Sequence, residues 1–258
     1  MPPALTILER RALPDAANVE RLRVETADGA RTTVYAATYP SSVPVRFARL
    51  DPPTPVLEWA ESEGVSDATN GGFFAKPDDV PLGEFVLESG DTGGVPFAAP
   101  WSNTRACLRL GAAGAEIGPR DRVVVAPGDQ VLQAGPLLVD AGVPVVADED
   151  PEGFATTQEE FDQDLTAERL PRMAIALTAD ADWLAVAVDG RGDDDAGLLL
   201  EELAELLATL GAASALNLDG GSSSALVAGG ELRNTPRDDE GNDLDAAGPT
   251  TTAIVFDA

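Results

Sequence analysis

The chain has 258 residues, 44% of them hydrophobic, with Asp+Glu 45 against Lys+Arg 17 and a formal net charge of −28. That length supports one sizeable core or two small ones, and the charge disfavours nucleic acid and anionic membranes as partners, because the surface repels phosphate in either form. With no histidine and a single cysteine, Cys107, the sequence excludes Ser-His-Asp, Cys-His and His-Glu-x-x-His mechanisms, His- or Cys-rich zinc sites and any internal disulfide.

Catalysis in such a chain must use carboxylates, Arg, Asn, Ser, Thr, Tyr, backbone amides or an oxygen-bound metal. The acidic excess suits a strongly hydrated surface, above all at high salt, where screening softens self-repulsion. Lys76 is the only lysine, so nearly all positive charge is arginine. The N-terminal "MPPALTILERRALPDAANVERLRV" holds no apolar stretch long enough for a signal peptide. No run approaches the ~20 apolar residues of a membrane helix. The expectation is a soluble, cytoplasmic chain; a secreted protein whose signal had been removed would read the same.

"RLRVETADGARTTVYAATYP" alternates apolar and polar residues about Asp28-Gly29 and reads as a hairpin. "VPVRFARL" reads as a strand. "TPVLEWAESEG" reads as a short helix with Thr54 as N-cap, Pro55 in the first helical position and Gly64 ending it. "DATNGGFFA" is a strand-like run broken by glycines. "GEFVLES", "RACLRLG", "AEIG", "RVVVAPG" and "QVLQAGPLLV" read as short strands with Gly/Pro punctuation.

Residues 147–169 form an acidic polar interval that fits a linker, a lid or a solvated helix. "RMAIALTADADWLAVAVDGR" gives two β-rich runs joined by an acidic turn. "GLLLEELAELLATLGA" is the clearest helix: Leu199, Leu203, Leu206 and Leu210 recur at helical spacing, Asp194 or Asp195 can cap the start, and Gly211 ends it. "ALNLDGG" reads as a buried strand meeting a tight turn, "SSALVAGGELRNTP" as a hairpin about Gly229-Gly230, and "TTAIVFDA" as a closing strand. There is no internal repeat and no evident domain boundary. The pattern predicts an α+β fold, a single domain over 1–258 of many short, mostly antiparallel strands packed with a few helices.

Three loops and the start of one strand carry candidate chemistry. Asp219 stands at the end of an apolar run, before Gly220, Gly221, Ser222, Ser223 and Ser224. The glycines permit positive φ and close ligand approach, and successive turn amides can form an anion-binding nest; an ordinary Asp-Gly turn capped by serines fits as well. Asn70, Gly71 and Gly72, before two phenylalanines, can turn an amide into a cleft or simply make a turn. Asp189 and Arg191 end a β-rich run, where Arg191 can grip a phosphate bidentately or lie on a surface turn. Arg172 opens a strand, as a phosphate ligand or a flanking charge. The loops of Asn70, Asp189 and Asp219 are expected to share one cleft.

Other echoes fail. "GSSSA" has no histidine to activate a serine and no helix pattern after it. Asp91-Thr92-Gly93 lacks the apolar strand before it and the second copy that an aspartic protease needs. "DGRGDDDAG" and "DDEGNDLD" lack EF-hand spacing, although their acidic side chains leave room for an irregular site for Ca²⁺ or Mg²⁺; the sequence itself requires no cofactor.

Taken in order, "NGGFF", "QAGPLLVDAG", "RMAIALTADADWLAVAVDGR", an amphipathic helix, "LGAASALNLDGGSSSALVAGGELRNTP" and a closing strand resemble the phosphodiester glycosidase family. The resemblance covers residues 65–257 and is most specific from Arg172 to Pro236; residues 1–50 fit the family's N-terminal strands. It implies hydrolysis of a small-molecule or glycan sugar-1-phosphodiester at the glycosidic C–O bond, giving a free sugar and a phosphomonoester. Arg172 and Arg191 would then bind the phosphate, Asp219 or Asp189 would supply the carboxylate, and Asn70 and Asn217 would hold sugar hydroxyls or the attacking water. The family's usual "RTAIG" is "RMAIA" here, placing Ala176 where a glycine is common, and Ser222 replaces a third glycine. Two other readings of the same loops are a non-catalytic sugar-phosphate or anion-binding module and a metal-dependent phosphodiesterase that cuts P–O bonds with Asp189 and Asp219 as ligands.

Overall fold

The computed structural model describes residues 5–75, 79–146, 151–154 and 166–258. The two β-rich runs of the sequence, Arg172–Thr178 and Trp183–Val188, form an antiparallel hairpin buried on both faces. They are the middle of an eight-stranded sheet. Its order is Thr6–Leu13, Ala16–Glu25, Arg31–Tyr39, Trp183–Val188, Arg172–Thr178, Ala212–Asn217, Leu137–Asp140 and Val143–Pro144. Every adjacent pair is antiparallel. The hairpin predicted about Asp28-Gly29 is its second and third strands.

Alternation assigns the faces of this sheet. Met173, Ile175, Ala185, Ala187 and Leu216 point into a central core, where they meet Phe47, Leu108, Leu132, Leu226, Ile254 and Phe256 from two other sheets. On the other face Ala174, Ala176, Val186, Val188 and Ala215 receive the helix Leu200–Thr209 through Leu203, Leu206 and Leu207, all fully buried. Small side chains on the sheet let the helix lie close, and each buried leucine contributes about 1.5–3 kcal/mol. Ala176 lies here, under the helix.

The second sheet runs Glu231–Leu232, Leu226–Ala228, Ala68–Asn70, Thr250–Phe256 and Val45–Thr54; the third runs Gly114–Pro119, Ala106–Gly111, Gln130–Gln133 and Phe85–Val86. The fold is α+β with mostly antiparallel strands. Among the described residues no helix is long and apolar enough to cross a membrane.

Three local expectations are corrected. "RVVVAPG" is not a strand. Arg122 and Val123 donate to the Pro119 carbonyl in a turn, and Val124 is exposed, so a β-prone run goes without a partner strand. Thr54 does not cap the first helix. It stays in its strand opposite Thr250, and Pro55 is the N-cap of Val56–Glu63; Gly64 ends that helix in the left-handed region as expected. Neither Asp194 nor Asp195 caps Leu200–Thr209. The Leu199 amide instead donates to Glu202 Oε2 at 2.9 Å, while the Asp195 carboxylate accepts from the Thr33 amide and from Arg23. Most of the 147–169 interval lies outside the described residues; within the remainder Arg169 bridges Asp28 and Glu202.

The charge excess predicts a salt response. With 45 acidic residues against 17 basic ones, carboxylates far outnumber the cations that could pair with them, and compaction raises their mutual repulsion. Tm should rise with KCl up to about molar concentration, where the Debye length is ~3 Å. A thermal melt series that stays flat or falls with KCl would refute self-repulsion as the dominant surface effect.

Candidate active site

Register puts the candidate loops at one end of the large sheet. Arg172 pairs with Val188 and Ala174 with Asn217. Residues 189–192 and 218–224 therefore leave the sheet on either side of Pro171 and Arg172. The second of these loops also crosses from the large sheet to the second one, where Leu226 pairs with Thr69.

The Asp219 turn is built against backbone on both sides. Leu218 N donates to Met173 O at 2.9 Å, Asp219 N to Gly71 O at 3.1 Å and Gly221 N to Pro171 O at 2.9 Å. A Cβ at Gly220 would fall 2.9 Å from Pro171 O, so only glycine fits there. Gly221 has φ 63, and with Ser222 and Ser223 it forms a single 3-10 turn. Asp219 is partly exposed; Ser223 is nearly buried and Ser222 partly so.

Asn70 closes the loop. Its Nδ2 donates to Asp219 O at 2.8 Å and its Oδ1 accepts from Ala225 N at 2.9 Å, so one buried amide ties both ends of the 219–225 segment. As folded, Asn70 shapes the loop through backbone bonds. Gly71 lies against Thr252, where a Cβ would approach Oγ1 to 2.4 Å, and Gly72 lies against Gln133 O. Asn217 donates from Nδ2 to Gly135 O at 2.9 Å, and its buried Oδ1 has no hydrogen-bond partner among the described residues.

Two arginines border the Asp219 turn, the Arg172 backbone against Gly220 and the Arg191 guanidinium over Gly221. Arg172 is 1% exposed, with Nε on Leu198 O at 3.0 Å and Nη2 on Glu168 O at 2.8 Å. Burial pushes its pKa down to about 10, and the like charge of Arg191 adds to that. Arg191 has its guanidinium over Gly221: a Cβ there would lie 3.5 Å from both Nη1 and Nη2. The Arg191 cation over a glycine turn favours an anion there, and the like charge of Arg191 felt at Arg172 would be offset by it.

Asp189 leaves the sheet at the same end, but its carboxyl is sealed. It is 2% exposed, and Oδ1 accepts from Thr235 N at 2.8 Å. Burial pushes its pKa up to about 7 against the pull of the Thr235 amide, and the negative charge of Asp195 raises it further. Among the described residues no three or more metal-ligating side chains converge. The structure thus brings Arg172, Arg191, Asp219, Gly220 and Gly221 together, with Asn70 and Gly71 shaping their loop and Asp189 behind it. Sequence reasoning missed Pro171, whose carbonyl anchors the glycine turn, and Arg237, Asp239 and Thr235, which grip the 189–192 loop. The only signal for the last three was a polar stretch at the end of a predicted hairpin and just beyond it.

The fold has solved counterparts. The zebrafish N-acetylglucosamine-1-phosphodiester alpha-N-acetylglucosaminidase catalytic domain, auto-inhibited by its pro-peptide, aligns over 100% of this chain and 89% of its own, with a TM-score of 0.71 and 17% identity. A hypothetical protein from Synechocystis aligns over 96% of this chain at TM-score 0.64 and 18% identity; this chain spans 63% of that one. A Burkholderia pseudomallei K96243 protein aligns over 92% of this chain and 74% of its own, at TM-score 0.62 and 17% identity. No curated protein matches the sequence at a significant level. The phosphodiester glycosidase family model matches residues 63–256, three quarters of the chain and nearly all of the segment whose motifs carry the resemblance, and by that match the chain belongs to the phosphodiester glycosidase family.

Proposed function

We propose that the protein hydrolyses a sugar-1-phosphodiester at the glycosidic C–O bond. The observation that carries this reading is the Arg191 guanidinium over the Gly220-Gly221 turn that follows Asp219, with the buried cation Arg172, whose backbone abuts Gly220, coupled electrostatically to Arg191. As the bond from the anomeric carbon to the phosphate oxygen breaks, its electron pair stays on phosphate, and a diester with one negative charge becomes a monoester with two. Two guanidinium groups stabilise the second charge more than the first, which is the difference that lowers a barrier. Phosphate leaves with little protonation, so the chemistry runs without histidine. Asp219 supplies the carboxylate at the anomeric carbon. It suits that part better than Asp189 because it is partly exposed beside the glycines, whereas Asp189 is sealed.

The test is hydrolysis of a sugar 1-(4-nitrophenyl phosphate) in ¹⁸O-water. Label in the sugar is the expected result. Label in the phosphate would mean P–O cleavage and overturn this reading in favour of a phosphodiesterase; binding without turnover would leave an anion-binding module. On the same substrate Arg191→Lys should keep the charge and lose the planar fork. KM is expected to rise about tenfold, with a smaller change in kcat, one such charge-assisted contact being worth roughly that. An unchanged KM would remove Arg191 from the phosphate site.

A further inference from the structure

Arg191 adopts φ 61, a left-handed backbone that a residue with a Cβ rarely takes without support. The support comes from a separate segment. Residues 236–244 fold into a tight hairpin, with Leu244 N on Pro236 O at 2.9 Å, Asp238 N on Asn242 O at 3.1 Å and Asn242 N on Asp238 Oδ1 at 2.8 Å. This hairpin grips the 190–192 loop at each residue. Arg237 Nη1 donates to Gly190 O at 3.0 Å. The Arg237 guanidinium lies over Gly192, where a Cβ would fall 2.6 Å from Cζ. Gly241 packs on the Arg191 carbonyl, where a Cβ would fall 2.5 Å from the oxygen.

The Arg191 side chain is held by the same hairpin. Its Nη1 donates to Arg237 O at 3.4 Å, and its Nη2 pairs with Asp239 at 2.7 Å. Arg237 is in turn fixed by Asp243 at 2.7 Å and by Asp195 at 3.4 Å, and Asp195 is anchored to the Thr33 amide and Arg23 in the large sheet. The chain of contacts runs from the rigid sheet through Asp195 and Arg237 to the guanidinium that faces Gly221.

We propose that Arg237 is a positioning residue, which holds the 190–192 loop so that Arg191 presents its guanidinium to the anion at the Gly221 turn. The inference rests on the phosphodiester reading of that turn, and it assigns Arg237 no contact with substrate. A positioned guanidinium costs the enzyme nothing to reorganise when the anion arrives, whereas a loose one must be ordered at each binding event.

The test is a double-mutant cycle of Arg237→Gln and Arg191→Ala, read on KM for the sugar 1-(4-nitrophenyl phosphate) and on its Kd by calorimetry. Arg237→Gln should raise KM and Kd about fivefold or more, with kcat within about threefold of wild type. Once Arg191 is alanine, Arg237→Gln should add less than about twofold. Additive losses, or an Arg237→Gln protein with lowered Tm and unchanged KM and Kd, would overturn the proposal. Asp243→Asn, at an exposed position, loosens Arg237 without touching the core and should move KM in the same direction by a smaller factor; no movement counts against positioning. A wild-type protein that binds the diester without turning it over refutes glycosidic cleavage and leaves the cycle readable through Kd. One that shows no binding at all refutes both.

Discussion

Asp219→Asn should lower kcat on an activated sugar-1-phosphodiester by ~100-fold or more, the scale for removing a positioned acid, base or nucleophile. It should do so with Tm within roughly 2 °C of wild type. Two features separate these effects. The turn is held through backbone groups, Asp219 N on Gly71 O and Asp219 O on Asn70 Nδ2, and both survive the substitution. Asparagine keeps the shape and one acceptor oxygen while removing the charge that an oxocarbenium-like carbon needs beside it. If Asp219 were only a turn acid, the opposite pattern would appear, and an Asn variant that melts early yet turns over normally would move the chemistry to Asp189.

Local pattern carried much of the architecture. The leucines of 199–210 specify an amphipathic helix by spacing alone, and Asp28-Gly29 and Gly229-Gly230 specify hairpins by turn chemistry; all three formed. Local pattern failed where the outcome depends on a distant partner. "RVVVAPG" has the β-branched residues of a strand, but nothing pairs with it, and the strand does not form. Asp195 has the right type and place to cap a helix, yet Arg23 and the Thr33 amide, from strands more than 160 residues earlier, take its carboxylate. The site shows the same division. The Asp-Gly-Gly turn was legible because glycine after a buried strand has few uses. That Asn70 would tie both ends of the Asp219 loop was not, since the bond spans 149 positions and depends on two sheets meeting. Nor could the grip of Arg237 on Arg191 be read from residue types, because it requires a hairpin at 236–244 to lie across a loop that ends another sheet.

Asp189→Asn should stabilise the protein, and by an amount that depends on pH. Asp189 is 2% exposed, and burial raises its pKa to about 7, above the ordinary aspartate value of 3.8. Below about pH 4 both folded and unfolded chains hold the proton, and the group contributes no pH dependence. Between about pH 4 and 7 the unfolded chain has lost the proton and the folded chain keeps it, so stability falls as pH rises; above 7 both are ionised and the fall ends. The gap between the two pKa values corresponds to roughly 4 kcal/mol at its full extent. Asparagine is a permanently neutral stand-in whose Oδ1 can still accept from Thr235 N. The variant should therefore match wild type near pH 4 and gain progressively up to pH 8, by about 10 °C in Tm at most for a chain of this size. Measuring the two melts in molar KCl suppresses the repulsion among surface carboxylates, which also grows over this range. A wild-type-to-variant difference that stays constant from pH 4 to 8 would mean that Asp189 is ionised throughout, with its charge balanced in the fold. Turnover of the same variant settles the chemistry: kcat within a few-fold of wild type makes Asp189 a buried support for the Thr235 amide, whereas a loss comparable to that of Asp219→Asn would put its proton in the reaction.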